Sequence, residues 1–151
     1  MTNQLGFEIY ECFGTAGVLP QIDGQPLSAL VGEFEQTLGW NTSLSYGGLI
    51  PDWFSYGSLD RYFMGNPDDP SYWTELGGFY LLGCKGCGDV GCWPIVCSIA
   101  ADDVVVTWKD FRQPHRPTWD YSGFGPFTFD RAAYERCVKQ LARDLAGMAD
   151  A

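Results

Sequence analysis

Three consecutive β-type runs near the middle of the chain constrain its fold most. They occupy residues 77–84 (GGFYLLGC), 92–100 (CWPIVCSIA) and 104–111 (VVVTWKDF), and apolar, β-branched and aromatic residues dominate them. Asp102 and Asp103 fall between the second and third runs, where they predict a tight turn. Because connections this short join antiparallel strands, the sequence predicts a β-meander at about 77–111.

Two other segments have helical periodicity. Within residues 26–38 the apolar residues recur at spacings of three and four: Leu27, Leu30, Val31, Phe34 and Leu38. Glu33 and Glu35 occupy other positions of the same turns, and Gly39 follows as a C-cap. A second helix is predicted over residues 130–146, with Asp130 as its N-cap. Its apolar face carries Tyr134, Cys137, Val138, Leu141 and Leu145.

The N-terminal region and the chain length complete the fold prediction. Residues 7–13 (FEIYECF) alternate and predict a strand, followed by a turn or hairpin through Asp23 and Gly24. A chain of 151 residues, 46% of them hydrophobic, is long enough to bury a core. We therefore predict one globular domain over residues 1–151, of the α+β class. It should have a mainly antiparallel sheet and two main helices, at about 26–38 and 130–146.

The charge balance is strongly acidic. Nine basic residues stand against nineteen acidic ones, which gives a net charge of -10. A surface of this sign repels nucleic acids and anionic membranes and favours a basic or neutral protein partner. The N-terminus lacks a positively charged region followed by an apolar run, and no apolar run is long enough to span a membrane. These features predict a cytoplasmic protein.

Four of the six cysteines fall in one glycine-rich stretch, GCKGCGDVGCWPIVC. In an antiparallel hairpin the numbers of paired residues have a roughly constant sum, so a turn at 102–103 places Cys92 opposite about Gln113. The same turn carries His115 to the glycine loop, and the first hairpin sets Cys84 opposite about Cys92. Thiolate and imidazole are ligands that zinc prefers. The sequence therefore predicts a structural zinc site formed by Cys84, Cys87, Cys92 and His115.

Other roles for these cysteines stay open. A cross-strand disulfide between Cys84 and Cys92 fits the same pairing but requires an oxidising compartment. A redox-active pair of Cys84 and Cys87 is expected at a helix N-terminus rather than in a hairpin. The remaining thiols lie in apolar patterns and are expected in the core: Cys12, Cys97 and Cys137.

Basic residues concentrate at the end of the meander, in WKDFRQPHRPTWDYSGFGPF. We expect three of them to form a binding site for a carboxylate or phosphate together with nearby aromatic residues: Lys109, Arg112, Arg116, Trp119 and Tyr121. The same cations could instead pair with acidic residues of the protein itself. No hydrolase, P-loop or dinucleotide motif is present, and the only histidine is assigned to zinc. The sequence therefore identifies no catalytic residue.

Three motifs follow one another between residues 78 and 136: LLGCKGCGDVGCWP, WKDFRQPHR and WDYSGFGPFTFDRAAYE. In these motifs the chain resembles a family of small bacterial proteins that is common among actinobacteria. Members of that family often have one residue rather than two between the first two cysteines, which leaves the roles of Cys84 and Cys87 open. The family is uncharacterised, so the resemblance implies no activity, substrate or partner.

Small size, strong acidity and exposed aromatic residues suit the capture of a partner that is steered by charge. We therefore expect a small acidic cytoplasmic binding or inhibitor-type protein, of the immunity kind that neutralises a basic toxin, with a structural zinc site. The alternative is a zinc-dependent enzyme or a binder of small anionic ligands. It would use the patch of Lys109, Arg112 and Arg116 with the aromatic loop.

Overall fold

Two antiparallel sheets organise the protein. The computed structural model describes residues 2–40, 46–53, 57–67, 78–86 and 93–149. In this part of the chain a three-stranded sheet contains, in spatial order, β1 (Leu5–Cys12), β2 (Thr15–Ile22) and β3 (Gln25–Pro26). A five-stranded sheet contains β4 (Tyr46–Gly47), β5 (Phe79–Cys84), β6 (Ile95–Ala101), β7 (Val105–Arg112) and β8 (Phe127–Asp130). The predicted meander is confirmed as β5, β6 and β7.

The described helices are α1 (Leu27–Thr37), the short α2 (Leu59–Tyr62) and α3 (Arg131–Ala149), with a 3-10 turn at Pro51–Trp53. The backbone N–H of Ala133 donates to the Asp130 carboxylate at 3.0 Å, as expected of an N-cap. Gly39 has a φ of 84° just after α1. The α+β class is thus confirmed. Among the described helices, none is both long enough and apolar enough to cross a lipid bilayer.

The buried side chains of both sheets and of the helices form one hydrophobic cluster. The ring of the fully buried Trp108 lies 5.1 Å from that of Phe129, and its indole N–H donates to the Tyr134 hydroxyl at 2.9 Å. The Tyr134 hydroxyl donates in turn to the carbonyl of Phe63. This chain of contacts satisfies the polar atoms of two large aromatic residues while it docks α3 against β7.

The expected core thiols differ in burial. Cys97 is only 1% exposed, and burial raises the pKa of its thiol well above the usual value. Cys137 is partly buried and donates to the Leu5 carbonyl at 3.3 Å. Cys12 is also partly buried, in a strand beside a cavity. Only Cys97 therefore matches the expected core environment fully.

The first hairpin turns earlier than the sequence suggested. Cys12 pairs with Thr15, so the two turn residues are Phe13, with a φ of 54°, and Gly14, with a φ of 80°. Two positive φ values identify a type I′ turn, whose first position usually holds Asn, Asp or Gly. Because phenylalanine is unusual at this position, sequence patterns predicted neither this turn nor the strand β2 that follows it. The predicted turn through Asp23 is present, but it joins β2 to β3.

The register of the second hairpin also differs from the prediction. Ala101 pairs with Val106, so the turn is centred on Asp103 and Val104 rather than on Asp102 and Asp103. The side chain of Asp102 explains the shift, because its carboxylate accepts the backbone N–H groups of Val104, at 2.7 Å, and Val105, at 2.8 Å. Arg112 pairs with Val96, whereas a turn at Asp102 and Asp103 would set it opposite about Trp93. The predicted partner of Gln113, Cys92, lies outside the described residues.

Candidate functional site

A β-bulge in β7 determines which side chains face solvent at the end of the meander. Ser98 pairs with Lys109, whereas Val96 pairs with Arg112, so β7 contains one extra residue here. Within the bulge Asp110 has a φ of 57°, a left-handed conformation that aspartate tolerates better than most residues. Strand alternation alone would put Lys109 and Arg112 on opposite faces. The bulge shifts the alternation, and both side chains are exposed.

The free edge of β7 and the segment 117–126 border a cavity of about 710 Å³, called here the Lys109 cavity. The pairing of β8 with β7 ends where Phe127 lies opposite Trp108, so this segment covers the rest of the edge. Most of the predicted ligand-binding residues line the cavity: Lys109, Arg112, Trp119 and Tyr121. Arg116 is not among its lining residues.

Arg116 instead takes part in a stack of aromatic rings. The carbon atom at the centre of its guanidinium group lies 3.8 Å from the ring centroid of Trp93 and 5.3 Å from that of Trp119. Trp119 stacks in turn on Trp40, with centroids 4.2 Å apart and an interplanar angle of 8°. Cation–π and ring contacts of this kind stabilise the turn after β7 against the start of β6 and the end of α1.

A buried polar cluster lies behind this stack. Glu35 is fully buried, and its carboxylate accepts the hydroxyls of Tyr46, at 2.6 Å, and of Tyr121. Burial, followed by the hydrogen bond to Glu35, raises the pKa of both phenols far above the usual value. The Tyr121 hydroxyl is thus hydrogen-bonded to Glu35 in the core, which leaves the ring as the part of Tyr121 that can line the Lys109 cavity.

The fully buried Gln113 holds the turn that carries His115. Its side-chain oxygen accepts the backbone N–H of His115 at 2.8 Å, while its amide nitrogen has no hydrogen-bond partner of normal geometry among the described residues. The amide lies near the Tyr46 hydroxyl and acts to lower the pKa of that phenol, against the larger effect of burial. Sequence periodicity did not identify Gln113 or Glu35, because both have polar side chains in positions that local patterns assign to solvent.

The predicted zinc ligands fall partly outside the described residues, since Cys87 and Cys92 are not among them. Cys84 is partly buried and pairs with Tyr46, whose ring lies 5.9 Å from that of Trp93. His115 is exposed and precedes Arg116, which also contacts Trp93, so Cys84 and His115 belong to segments that meet at one ring. No group of three potential metal ligands is found within the described ranges. The zinc site stays a prediction.

An exposed aromatic pair marks the tip of the first hairpin. The side chains of Phe13 and Trp53 are 52% and 44% exposed, and their ring centroids lie 5.2 Å apart. A cavity of about 380 Å³ next to the hairpin turn is lined by Glu11, Asp52 and the exposed Met148. We call these five residues the tip surface. Sequence patterns did not identify this surface, because Phe13 is the last residue of the strand predicted over residues 7–13.

Comparisons with protein-family models, with curated proteins and with solved structures found no match. The resemblance of residues 78–136 to an actinobacterial family stays a prediction. Function is therefore inferred from the chemistry and geometry of the tip surface and the Lys109 cavity.

Proposed function

We propose that the protein binds a basic protein partner through the tip surface, as a small acidic binding or inhibitor-type protein. Its net charge of -10 supports this, because it attracts a cationic partner over a long range and repels nucleic acids. Glu11 and Asp52 add local negative charge beside exposed apolar side chains. An apolar centre with a charged rim is the usual composition of a protein interface.

The observation that carries the proposal is the conformation of Phe13. A residue other than glycine at positive φ costs about 1–3 kcal/mol. The ring does not offset this by full burial, since it is 52% exposed. Aromatic residues supply a large share of the binding energy in protein interfaces. The contact of the ring with Trp53 and its partial burial only about offset this cost. The phenylalanine therefore adds no net stability to the hairpin, and contact with a partner explains it better.

The predicted structural zinc remains part of this proposal as a support for the scaffold. Two observations favour it: Cys84 and His115 belong to segments that both approach Trp93, and Gln113 fixes the backbone of His115. A metal-fixed loop beside β5 would keep the sheet rigid when the tip surface engages a partner.

Affinity capture with three immobilised proteins tests the proposal: the wild type, Phe13→Asn and Val104→Ala. Val104 is a matched control because it is 68% exposed and lies in another hairpin turn. We expect a basic protein to be retained in stoichiometric amount by the wild type and by Val104→Ala, to be lost from Phe13→Asn, and to elute with added salt. Recovery of no stoichiometric partner at low salt, or equal retention by Phe13→Asn, would contradict the proposal.

A further inference from the structure

We infer that the Lys109 cavity binds a small ligand with one carboxylate on an apolar or aromatic body. This site is separate from the tip surface, with which it shares no lining residue. Its volume, about 710 Å³, lies within the range of ordinary small-molecule sites.

The recognition of an anion rests on Lys109. Its side chain is exposed, lines the cavity and makes no hydrogen bond or ion pair with the part of the chain that is described. The bulge at Asp110 places the guanidinium-bearing Arg112 on the same edge of β7, which raises the local positive potential. Bulges often redirect side chains beside functional sites. A carboxylate in the cavity would form a charge-assisted hydrogen bond with the ammonium group of Lys109.

The limit to a single negative charge follows from two aspartates that also line the cavity. Asp120 accepts the backbone N–H of Ser122 at 2.9 Å, and this hydrogen bond lowers the pKa of its carboxyl, so it stays ionised. Asp110 adds a second carboxylate. The formal charges of these two residues equal those of Lys109 and Arg112. A dianion such as phosphate therefore gains little net attraction, whereas one carboxylate can pair with Lys109 alone.

The apolar body of the ligand is inferred from the aromatic lining. Phe111 and Phe124 both line the cavity and pack edge to face, with centroids 5.0 Å apart. Trp119 and Tyr121 line it too, but the Tyr121 hydroxyl is held by Glu35 and leaves the ring alone to contact a ligand. Surfaces of this kind bind aromatic or aliphatic groups by burial and ring contacts.

Three probes of matched size or charge test the site: phenylacetate, benzyl alcohol and inorganic phosphate. Calorimetric titration of the full chain should show saturable binding of phenylacetate and weaker or no binding of the other two. Lys109→Gln should raise the Kd for phenylacetate about tenfold, because a charged hydrogen bond is lost. Lys139→Gln serves as the control, since this exposed lysine of α3 does not line the cavity.

A second variant tests the charge balance that limits the ligand to one negative charge. Asp110→Gly removes a carboxylate, and glycine adopts positive φ easily, so the bulge should be retained. Phenylacetate should then bind about two- to fivefold more tightly. The inference is overturned if phenylacetate does not bind at about 10 mM. It is also overturned if phosphate binds as well as phenylacetate, or if Lys109→Gln leaves the Kd unchanged.

Discussion

Replacing Phe13 with asparagine, alone and with Trp53→Ala, separates the strain of the hairpin tip from its ring contact. Asparagine accepts the φ of 54° that Phe13 adopts, so the substitution should recover about 2 kcal/mol of backbone strain. It also removes a ring contact with Trp53, at a centroid distance of 5.2 Å, that stabilises the fold by about 0.5–1.5 kcal/mol. Partial burial of the ring adds about 1 kcal/mol. With Trp53 present, these effects should nearly cancel, to within about 1 kcal/mol.

In the Trp53→Ala background the ring contact is already lost, so Phe13→Asn should raise the free energy of unfolding by about 1 kcal/mol. The expected coupling energy between the two positions is also about 1 kcal/mol. Urea unfolding followed by circular dichroism measures the four proteins of this cycle. If Phe13→Asn lowers the free energy of unfolding by more than about 2 kcal/mol in that background, core packing holds the ring and the reasoning is refuted.

Three further predictions concern the interior and the cysteine loop. Because the pKa of Tyr121 is raised, the folded protein keeps a phenolic proton that the unfolded chain loses above about pH 10. The free energy of unfolding therefore falls as the pH rises above that value. Tyr121→Phe should reduce this fall by about 1.4 kcal/mol per pH unit, as measured by urea unfolding at a series of pH values. Gly48→Ala should destabilise the protein by more than about 2 kcal/mol, because a Cβ there would lie 2.4 Å from the backbone oxygen of Val18 in β2. Gly147→Ala in α3 should be neutral or stabilising. Thermal unfolding of both variants measures the difference. Elemental mass spectrometry should find one zinc ion per chain, lost on His115→Ala or Cys84→Ser; a metal-free wild type with fewer reactive thiols than cysteines after denaturation would indicate a disulfide instead.

Local periodicity predicted the helices well because their apolar faces are packed against the sheets. In α1 the predicted apolar residues Leu27 and Val31 are fully buried, and the helix ends before Gly39. Glu35 is buried as well, which the pattern could not reveal. Two of its hydrogen-bond donors are Tyr46 and Tyr121, which lie 11 and 86 residues away in the sequence. Burial of a carboxylate depends on such distant partners, so a window of one helix cannot predict it.

The register of the meander shows a second limit of sequence reasoning. The strands were predicted because their composition is β-rich, but pairing depended on the position of one turn and on one extra residue. Asp102 shifted the turn through its own hydrogen bonds, and the bulge at Asp110 shifted the strand again. Lys109 and Arg112 nevertheless line the same cavity, because residues this close along the chain stay near each other despite such shifts. Their role in binding a ligand stays a prediction. Arg116 lies farther along the chain and contacts the ring of Trp93 instead of lining the cavity.

The residues that break local backbone rules divide into two groups. Phe13, Asp23 and Asp110 are the non-glycine residues with positive φ in the described part of the chain. Asp23 has a structural reason, because its carboxylate accepts hydrogen bonds from the Asn3 side chain at 2.8 Å and the Gln4 backbone at 2.7 Å.

The Asp110 carboxylate makes no comparable hydrogen bond to the described residues, and the Phe13 side chain has no polar atom to make one. Phe13 belongs to the tip surface and Asp110 lines the Lys109 cavity. Residues in sparsely populated backbone conformations tend to cluster at functional sites. The two proposed sites therefore gain support from the same physical criterion, although one is an exposed aromatic pair beside two carboxylates and the other a charged cavity.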